Sequence, residues 1–275
     1  MTRSGMTQVH TRSDAAGARA RIEPALTVSV VIPVRDDADL LRRCLRSLAQ
    51  QTLAPCEIIV VDNGSHDETA AVARAAGAVL VRQSEPGVLA ASAAGYDAAA
   101  GDLLARLDAD CVPGADWVRS VVDAFADPAV DAVTGGAHLV EGPARMRRLV
   151  PAAYLTAYFA VLTVTLGHVP LFGSNMAMRR DAWADVSAEV HRHDELVHDD
   201  LDIAFHLGQT HTIRYAPDLS MGISARPFGD LRSFAHRVRR GFHSVIIHWP
   251  RQFPPFRWTR LALHAVRRTG ATTPR

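Results

Sequence analysis

Leu104-Ala105-Arg106-Leu107-Asp108-Ala109-Asp110-Cys111 is the stretch whose reading decides the fold. An apolar run of strand character stops at two carboxylates set two residues apart. In an open parallel sheet, ligands gather beyond the carboxyl ends of the strands, which is where a reactive acidic pair belongs. Two ionised aspartates this close repel. A divalent cation that favours oxygen ligands, Mg2+ or Mn2+, removes the repulsion. Such a cation, held by one or two carboxylates plus substrate phosphates, is a usual means of binding a nucleotide diphosphate. An isolated Asp-x-Asp is more often a solvated turn, so the surroundings decide.

Upstream, Val28-Ser29-Val30-Val31-Ile32-Pro33 is a short β-branched run closed by proline, a buried strand. After the turn Arg35-Asp36-Asp37, residues Leu40, Leu41, Cys44, Leu45 and Leu48 share one helical face, with Asp36 or Asp37 as N-cap. Glu57 to Asp62 is a second strand; Asn63-Gly64 turns the chain, and Ser65 with Glu68 has capping-box spacing. A helix, a strand over Val79 to Val81, and an Ala-rich helix from Leu89 to Ala100 lead to the strand that ends at Asp108. This alternation predicts an α/β fold with parallel strands and right-handed crossovers.

Composition narrows the function. The 275 residues carry 48% hydrophobic side chains and a formal net charge of +1, enough for one large α/β domain or two small ones. All basic residues are arginine, so a glycine–lysine phosphate loop is ruled out, and the first strand-to-helix turn has no Gly-x-Gly-x-x-Gly. If a nucleotide binds here, carboxylates and a cation must act in place of glycine amides. Cys44, Cys56 and Cys111 lack metal-ligand spacing and read as reduced thiols. Residues 1–26 read as a disordered extension without a signal sequence, and the arginine-rich 227–275 as a basic helical C-terminal extension.

Downstream, Pro113 to Phe125 reads as a helix and Val130 to Val140 as a strand with a bulge or turn at Gly135-Gly136. From Leu149 to Phe172 only His168 carries an ionisable side chain other than tyrosine. Pro151, Thr156, Thr163, Thr165 and Gly167 dilute this run, which favours a helix packed on the domain or dipping into a membrane surface over a true span. A strand-like segment, Phe172 to Arg180, follows. Then His198-Asp199-Asp200-Leu201-Asp202-Ile203 opens a helix with three acids where one or two would serve the helix dipole. Beyond Pro217 the expectation is a short strand, an arginine-rich helix from Leu231 to Ile247, and a proline-interrupted tail. His191, His193 and His198 read as surface or hydrogen-bonded histidines, not as a third metal ligand.

In order and spacing, Val30-Val31-Ile32-Pro33, Ser47 to Thr52, Glu57 to Thr69, Leu107-Asp108-Ala109-Asp110, Gly173 to Ala177 and Asp199 to Asp202 resemble the family 2 glycosyltransferases, from about Val28 to about Arg226. The resemblance implies the GT-A (Rossmann-like) fold, a mostly parallel central sheet flanked by helices, with a nucleotide-sugar half over 27–111 and an acceptor half over 112–226. It implies that Pro33 and Asp62 line the nucleotide base pocket, that Asp108 sits near the ribose, and that Arg35 also belongs to the donor nucleotide-binding residues. Asp110, with Asp108, would hold Mn2+ or Mg2+ at the diphosphate. Asp199-Asp200 stands for the family's Glu-Asp pair, making Asp200 the general base. Gly173, Ser174 and Asn175 would shape the sugar and acceptor pocket. The implied partners are a nucleotide-diphospho-sugar, UDP-linked by preference, and a hydroxyl acceptor on a lipid, glycan or small molecule, with no nucleic acid. The implied place is the cytoplasm, with peripheral membrane contact through 149–172 or the basic C-terminus. Ser92-Ala93 replaces a commoner Arg-Asn pair. Arg237, Arg239 and Arg240 read either as a lid over the diphosphate or as a solvated basic face. Two other readings compete: a nucleotidyltransferase, which would want glycine and a basic residue after the first strand, and a non-catalytic relative, which would be free to lose Asp62, Asp108, Asp110 and Asp200.

Overall fold

The computed structural model describes residues 26–226 and 231–270; the extension expected over 1–26 therefore lies outside the described residues, apart from its last one. Eight strands form one mixed sheet in the order β3-β2-β1-β4-β7-β6-β8-β5. The first half runs β1 (Val28–Val34), α1 (Ala38–Leu48), β2 (Glu57–Asp62), α2 (Thr69–Ala75), β3 (Val79–Arg82), α3 (Val88–Ala98) and β4 (Leu103–Arg106). Its four strands are parallel. Every residue of β1 is buried, as a strand covered on both faces must be. Val30, Ile32 and Val34 face α1 through Leu41, Cys44, Leu45 and Leu48, while Val31 faces α3. α3 lies close on the sheet because Gly95 has no side chain: a Cβ there would sit 2.3 Å from Val31 Cγ1.

The second half contains β5 (Val112–Pro113), α4 (Trp117–Ala124), β6 (Ala132–Leu139), α5 (Ala144–Leu166), β7 (Met176–Arg179), α6 (Arg180–Val186), α7 (Asp199–Leu207), β8 (Ile213–Ile223), α8 (Leu231–Ile246) and α9 (Pro254–Gly270). β7 runs antiparallel to both β4 and β6, and β6 is parallel to β8. Two expectations for the C-terminal part are corrected. β8 begins before Pro217, and the register of β6 on β8 shifts between Thr134 and Gly136. Residues 216–219 therefore lie in a bulge, where a proline without an N–H costs no ladder bond. Gly135 fits beneath that bulge, since a Cβ there would stand 2.0 Å from Leu219 O. The tail is likewise not merely proline-interrupted: Pro254 opens a helix, where a missing N–H is harmless. Buried Arg257 pins α9 to the domain, donating to Leu166 O at 2.6 Å and Phe205 O at 2.9 Å.

The capping box does not form. α2 starts at Thr69, and Asp67 accepts from Thr69 N at 2.9 Å and, across the rim, from Ala38 N at 2.9 Å. Ser65 instead accepts from Asp36 N at 3.1 Å, and Asp36 Oδ1 accepts from His66 N at 2.7 Å. Asp36 occupies the left-handed region at φ 52°, a conformation an aspartate tolerates when its side chain is held locally. These bonds tie the turn after β1 to the turn after β2.

Candidate active site

Antiparallel pairing of β7 with β4 places the turn before β7 beside the residues that leave β4. Side chains alternate along a strand, so Leu104 and Arg106 point to the face covered by α3 and α7, away from Leu103 and Ala105. Arg106 is thereby a buried cation, 3% exposed, at the rim of the sheet. Its Nη2 stands 2.8 Å from Asp108 Oδ1 and its Nε 3.3 Å from Asp199 Oδ2. Burial opposes its charge, but Asp108 and Asp199 outweigh that and hold its pKa above the ordinary arginine value. The Nε–H is buried and makes no hydrogen bond of good geometry, so its contact with Asp199 is an ion pair. Gly173 admits this guanidinium, since a Cβ there would lie 2.0 Å from Nη1.

The Gly173–Ser174 turn joins the two acidic groups. The Ser174 hydroxyl donates to Asp108 Oδ2 at 2.5 Å, and Gly173 N donates to Asp200 Oδ2 at 2.8 Å. Asp200 Oδ1 accepts from Leu201 N at 2.8 Å, leaving its carboxylate fixed and half-buried at the N-terminus of α7. Burial and the charge of Asp199 push its pKa up, against His198, Arg106 and the Gly173 N–H. Asp199 is committed differently. It is buried, accepts from Ser92 Oγ at 2.7 Å and neutralises Arg106. The serine that replaces the commoner Arg-Asn pair thus serves the acidic pair directly.

Asp110 is approached from the other side. Ser224 Oγ, just past β8, donates to Asp110 Oδ2 at 2.5 Å. Arg226 pairs with both oxygens of Asp37 at 2.8 and 2.9 Å and lies 3.7 Å from Asp110. Burial and the nearby charge of Asp108 raise the Asp110 pKa, opposed by Ser224 and Arg226. Acid oxygens of Asp108 and Asp110 and the Cys111 sulfur lie within 4.8 Å of one another. Burial pushes the Cys111 thiol up, which leaves the two carboxylates as the hard oxygen donors suited to Mg2+ or Mn2+.

The remaining expected residues fall less uniformly. Asp62 is buried at the end of β2, one strand beyond β1 from β4, and accepts from Ser65 N at 2.8 Å. Pro33 pairs with Val61 in the adjoining ladder, and Arg35 is exposed, 3.9 Å from Asp36. Asn175 is corrected: it does not line a pocket. It is fully buried, accepts from Trp117 Nε1 at 2.9 Å and donates to Gly136 O and Leu219 O at 2.8 and 2.9 Å, so all its amide atoms hold the sheet together. Arg240 is bound to Leu196 O and Val197 O, docking α8 on the loop before α7 instead of reaching outward. Tyr154 and Tyr158 of α5, not foreseen as site residues, stand against Asp200. Burial, then the Asp200 charge, raises both phenols, and Tyr158 donates to Leu171 O at 2.7 Å.

Comparison with known proteins gives this arrangement a family. The model of glycosyl transferase family 2 matches residues 29–186. Among curated relatives, glycosyltransferase AglE of Haloferax volcanii is 35% identical over 116 residues, 39% of this chain and 38% of that protein. Validoxylamine A glucosyltransferase of Streptomyces hygroscopicus is 42% identical over 110 residues, 37% of this chain and 24% of that protein. The chain thus matches well under half the length of these relatives. Among solved structures, the mannosyltransferase PcManGT of Pyrobaculum calidifontis superposes with a TM-score of 0.60 at 20% identity, covering 91% of this chain and 77% of that one. Glucosyl-3-phosphoglycerate synthase of Mycobacterium tuberculosis follows at a TM-score of 0.55 and 20% identity, covering 80% and 79%. With a family match over more than half its length and a sheet of this topology, the chain belongs to glycosyl transferase family 2 and has the GT-A fold.

Proposed function

We propose that the protein is a metal-assisted, inverting glycosyltransferase that moves a sugar from a nucleotide-diphosphate donor, a UDP-sugar by preference, to a hydroxyl acceptor. The observation that carries this reading is the Gly173–Ser174 turn, bonded to Asp108 on one side and Asp200 on the other. It sets an acid suited to a counter-ion and an acid suited to proton transfer on one rim of the sheet. The solved neighbours support the donor class, holding GDP-Man with Mn2+ in one case and UDP with Mn2+ and phosphoglyceric acid in the other.

Asp108 and Asp110 would hold Mn2+ or Mg2+, which when bound acts as a Lewis acid on the departing diphosphate. The residues fit such an ion: both offer oxygens, and burial, then the charge of Asp108, raises the Asp110 pKa, a combination of desolvation and repulsion that a bound cation offsets. Asp200 takes the proton from the acceptor hydroxyl. Its raised pKa makes it a stronger base than an exposed aspartate, and its two backbone N–H bonds hold its orientation. A base acting opposite the leaving group inverts the anomeric centre through an oxocarbenium-like state. Arg106 keeps Asp108 and Asp199 in place and neutralises part of the acidic cluster, while Asp62 and Pro33 receive the nucleotide base.

We further place the protein at the cytoplasmic face of a membrane. Among the described residues α5 is the one helix long and apolar enough to cross a membrane, yet only 22% of its most apolar window is buried. Leu149, Val161 and Val164 on α5 and Phe242 and Phe256 on the following helices are all more than 60% exposed. Sedimentation with anionic lipid vesicles tests this; a chain that stays in the supernatant at low salt contradicts it.

The catalytic reading is tested by a thermal-shift screen of nucleotide diphosphates and their sugars with and without Mn2+. A ligand at one hundred times its Kd adds about 2.7 kcal/mol to the folded state. A Mn2+-dependent rise with a uridine or guanosine diphosphate is expected, and no rise with any of them contradicts it.

A further inference from the structure

A second convergence of ligand atoms lies away from the acidic rim. Asp202 sits roughly 200° round α7 from Asp200, on the helix's opposite side. Its side chain is fully buried, and His191 Nδ1, His248 Nε2 and His206 Nε2 stand 2.7, 3.3 and 3.9 Å from its Oδ1. All four ligand atoms lie within 4.8 Å of one another. Three elements of the chain supply them: the loop before α7, two turns of α7 itself, and the turn after α8.

The partners of the outer ring atoms decide what the inner ones can do. His248 Nδ1 faces Ser244 O at 2.6 Å, and a carbonyl only accepts, so Nδ1 carries a proton; a ring with that one proton turns its Nε2 lone pair inward. His206 Nδ1 faces Glu189 Oε2 at 3.2 Å, with the same consequence. The Nε2 atoms of His206 and His248 are buried and have no hydrogen-bond partner. Asp202 Oδ2 is taken by His191 N at 3.0 Å, which leaves Oδ1 turned toward the rings. His191 Nδ1 stands at hydrogen-bond distance, 2.7 Å, from Asp202 Oδ1, but the two buried Nε2 atoms of His206 and His248 beside that oxygen have no such partner, and buried lone pairs left in this way are costly unless a cation fills the space. A neutral imidazole that donates its second N–H to a carboxylate or a backbone carbonyl is the usual form of a metal-bound histidine.

We infer that His191, Asp202, His206 and His248 form a structural Zn2+ site, separate from Asp108 and Asp110. Three imidazoles and one carboxylate are a donor set that Zn2+ takes readily. Bonds of about 2.05 Å to a tetrahedral ion place its ligands about 3.3 Å apart, and the three distances to Asp202 Oδ1 scatter around that figure. With four protein ligands the site is closed, so its role is to hold. It clamps α8 and the preceding loop to α7, the helix whose first turn presents Asp199 and Asp200.

The test uses the full chain, stripped with a chelator, carrying D108N and D110N so that the rim binds no ion. Titration with Co2+ alone should give one equivalent per chain with the intense visible absorption of a tetrahedral centre, displaced by Zn2+. H206Q and H248Q, checked for folding by circular dichroism, should bind no equivalent. Should both unfold, H191Q, at a part-exposed ligand, takes their place. Glu189→Gln should weaken binding by about 10–100-fold. Absence of saturable uptake in the D108N/D110N chain, a weak six-coordinate spectrum, or uptake unchanged in the histidine variants would overturn the inference.

Discussion

Replacing Arg106 by methionine removes the charge around which the rim is assembled while keeping most of the side-chain volume. The guanidinium and the Asp199 carboxylate are each only 4% exposed, whereas Asp108 is 36% exposed. Losing Arg106 leaves Asp199 with one neutral partner, the Ser92 hydroxyl, and with Asp200 alongside. Breaking a buried ion pair by removing one member costs about 3–5 kcal/mol. The Asp108 pair, open to water on one side, adds no more than about 1 kcal/mol after screening. The variant should therefore lose about 3–5 kcal/mol in urea unfolding with an unchanged slope, or roughly 6–20 °C in Tm for a domain of this size. Adding D199N removes the stranded charge and should restore part of the loss. A loss below about 1 kcal/mol, or further destabilisation by D199N in the R106M background, would refute the idea that Arg106 is held for Asp199.

Asp200→Asn should keep donor binding, measured calorimetrically, and lose transfer; retained turnover would remove Asp200 as the base. Gly95→Ala forces a methyl into Val31 and Val61, and overpacking of this kind should cost about 1–3 kcal/mol or more in urea unfolding; an unchanged midpoint would contradict the close seating of α3. The fold should also lose stability in acid through His168, whose Nε2 lies 2.6 Å from Arg257 Nη2. Burial, then the Arg257 charge, lowers its pKa from 6.5 to about 4. The unfolded chain binds the extra proton first, so stability present above pH 6.5 falls as the pH drops toward 4. The loss is up to roughly 3 kcal/mol, and it should be missing from the pH profile of His168→Gln.

Local patterns made the parallel half legible. β1 and β2 are rich in β-branched residues and β4 opens Leu-Leu-Ala, all buried where they cross the centre of the sheet, and the carboxylates after them sit on the rim by topology alone. What escaped the sequence was set by distant partners. Ser65 and Glu68 have capping-box spacing, but Glu68 is itself the N-cap position of α2, Asp67 takes the Thr69 amide, and the turn after β1 claims Ser65. Pro217 looked like the limit of a strand, and only the bulge opposite Gly135 lets the strand run through it. Asn175 stood in a motif that shapes a ligand pocket, yet its amide is consumed by Trp117, Gly136 and Leu219. Arg106 carried a signal that went unread: a cation inside an apolar strand must be paired if it is buried. The histidines near α7 are far apart in sequence, so their spacing held no metal signature; the packing of α8 on α7 brings His248 to His191 and His206.

Calorimetric titration of UDP with Mn2+ into the wild-type chain and into Asp110→Asn tests most directly whether the acids at the rim hold a sugar nucleotide through a cation. Saturable binding that needs Mn2+ in the wild type and vanishes in Asp110→Asn is the expected result. Equal affinity in the two proteins, or binding indifferent to Mn2+, would contradict it.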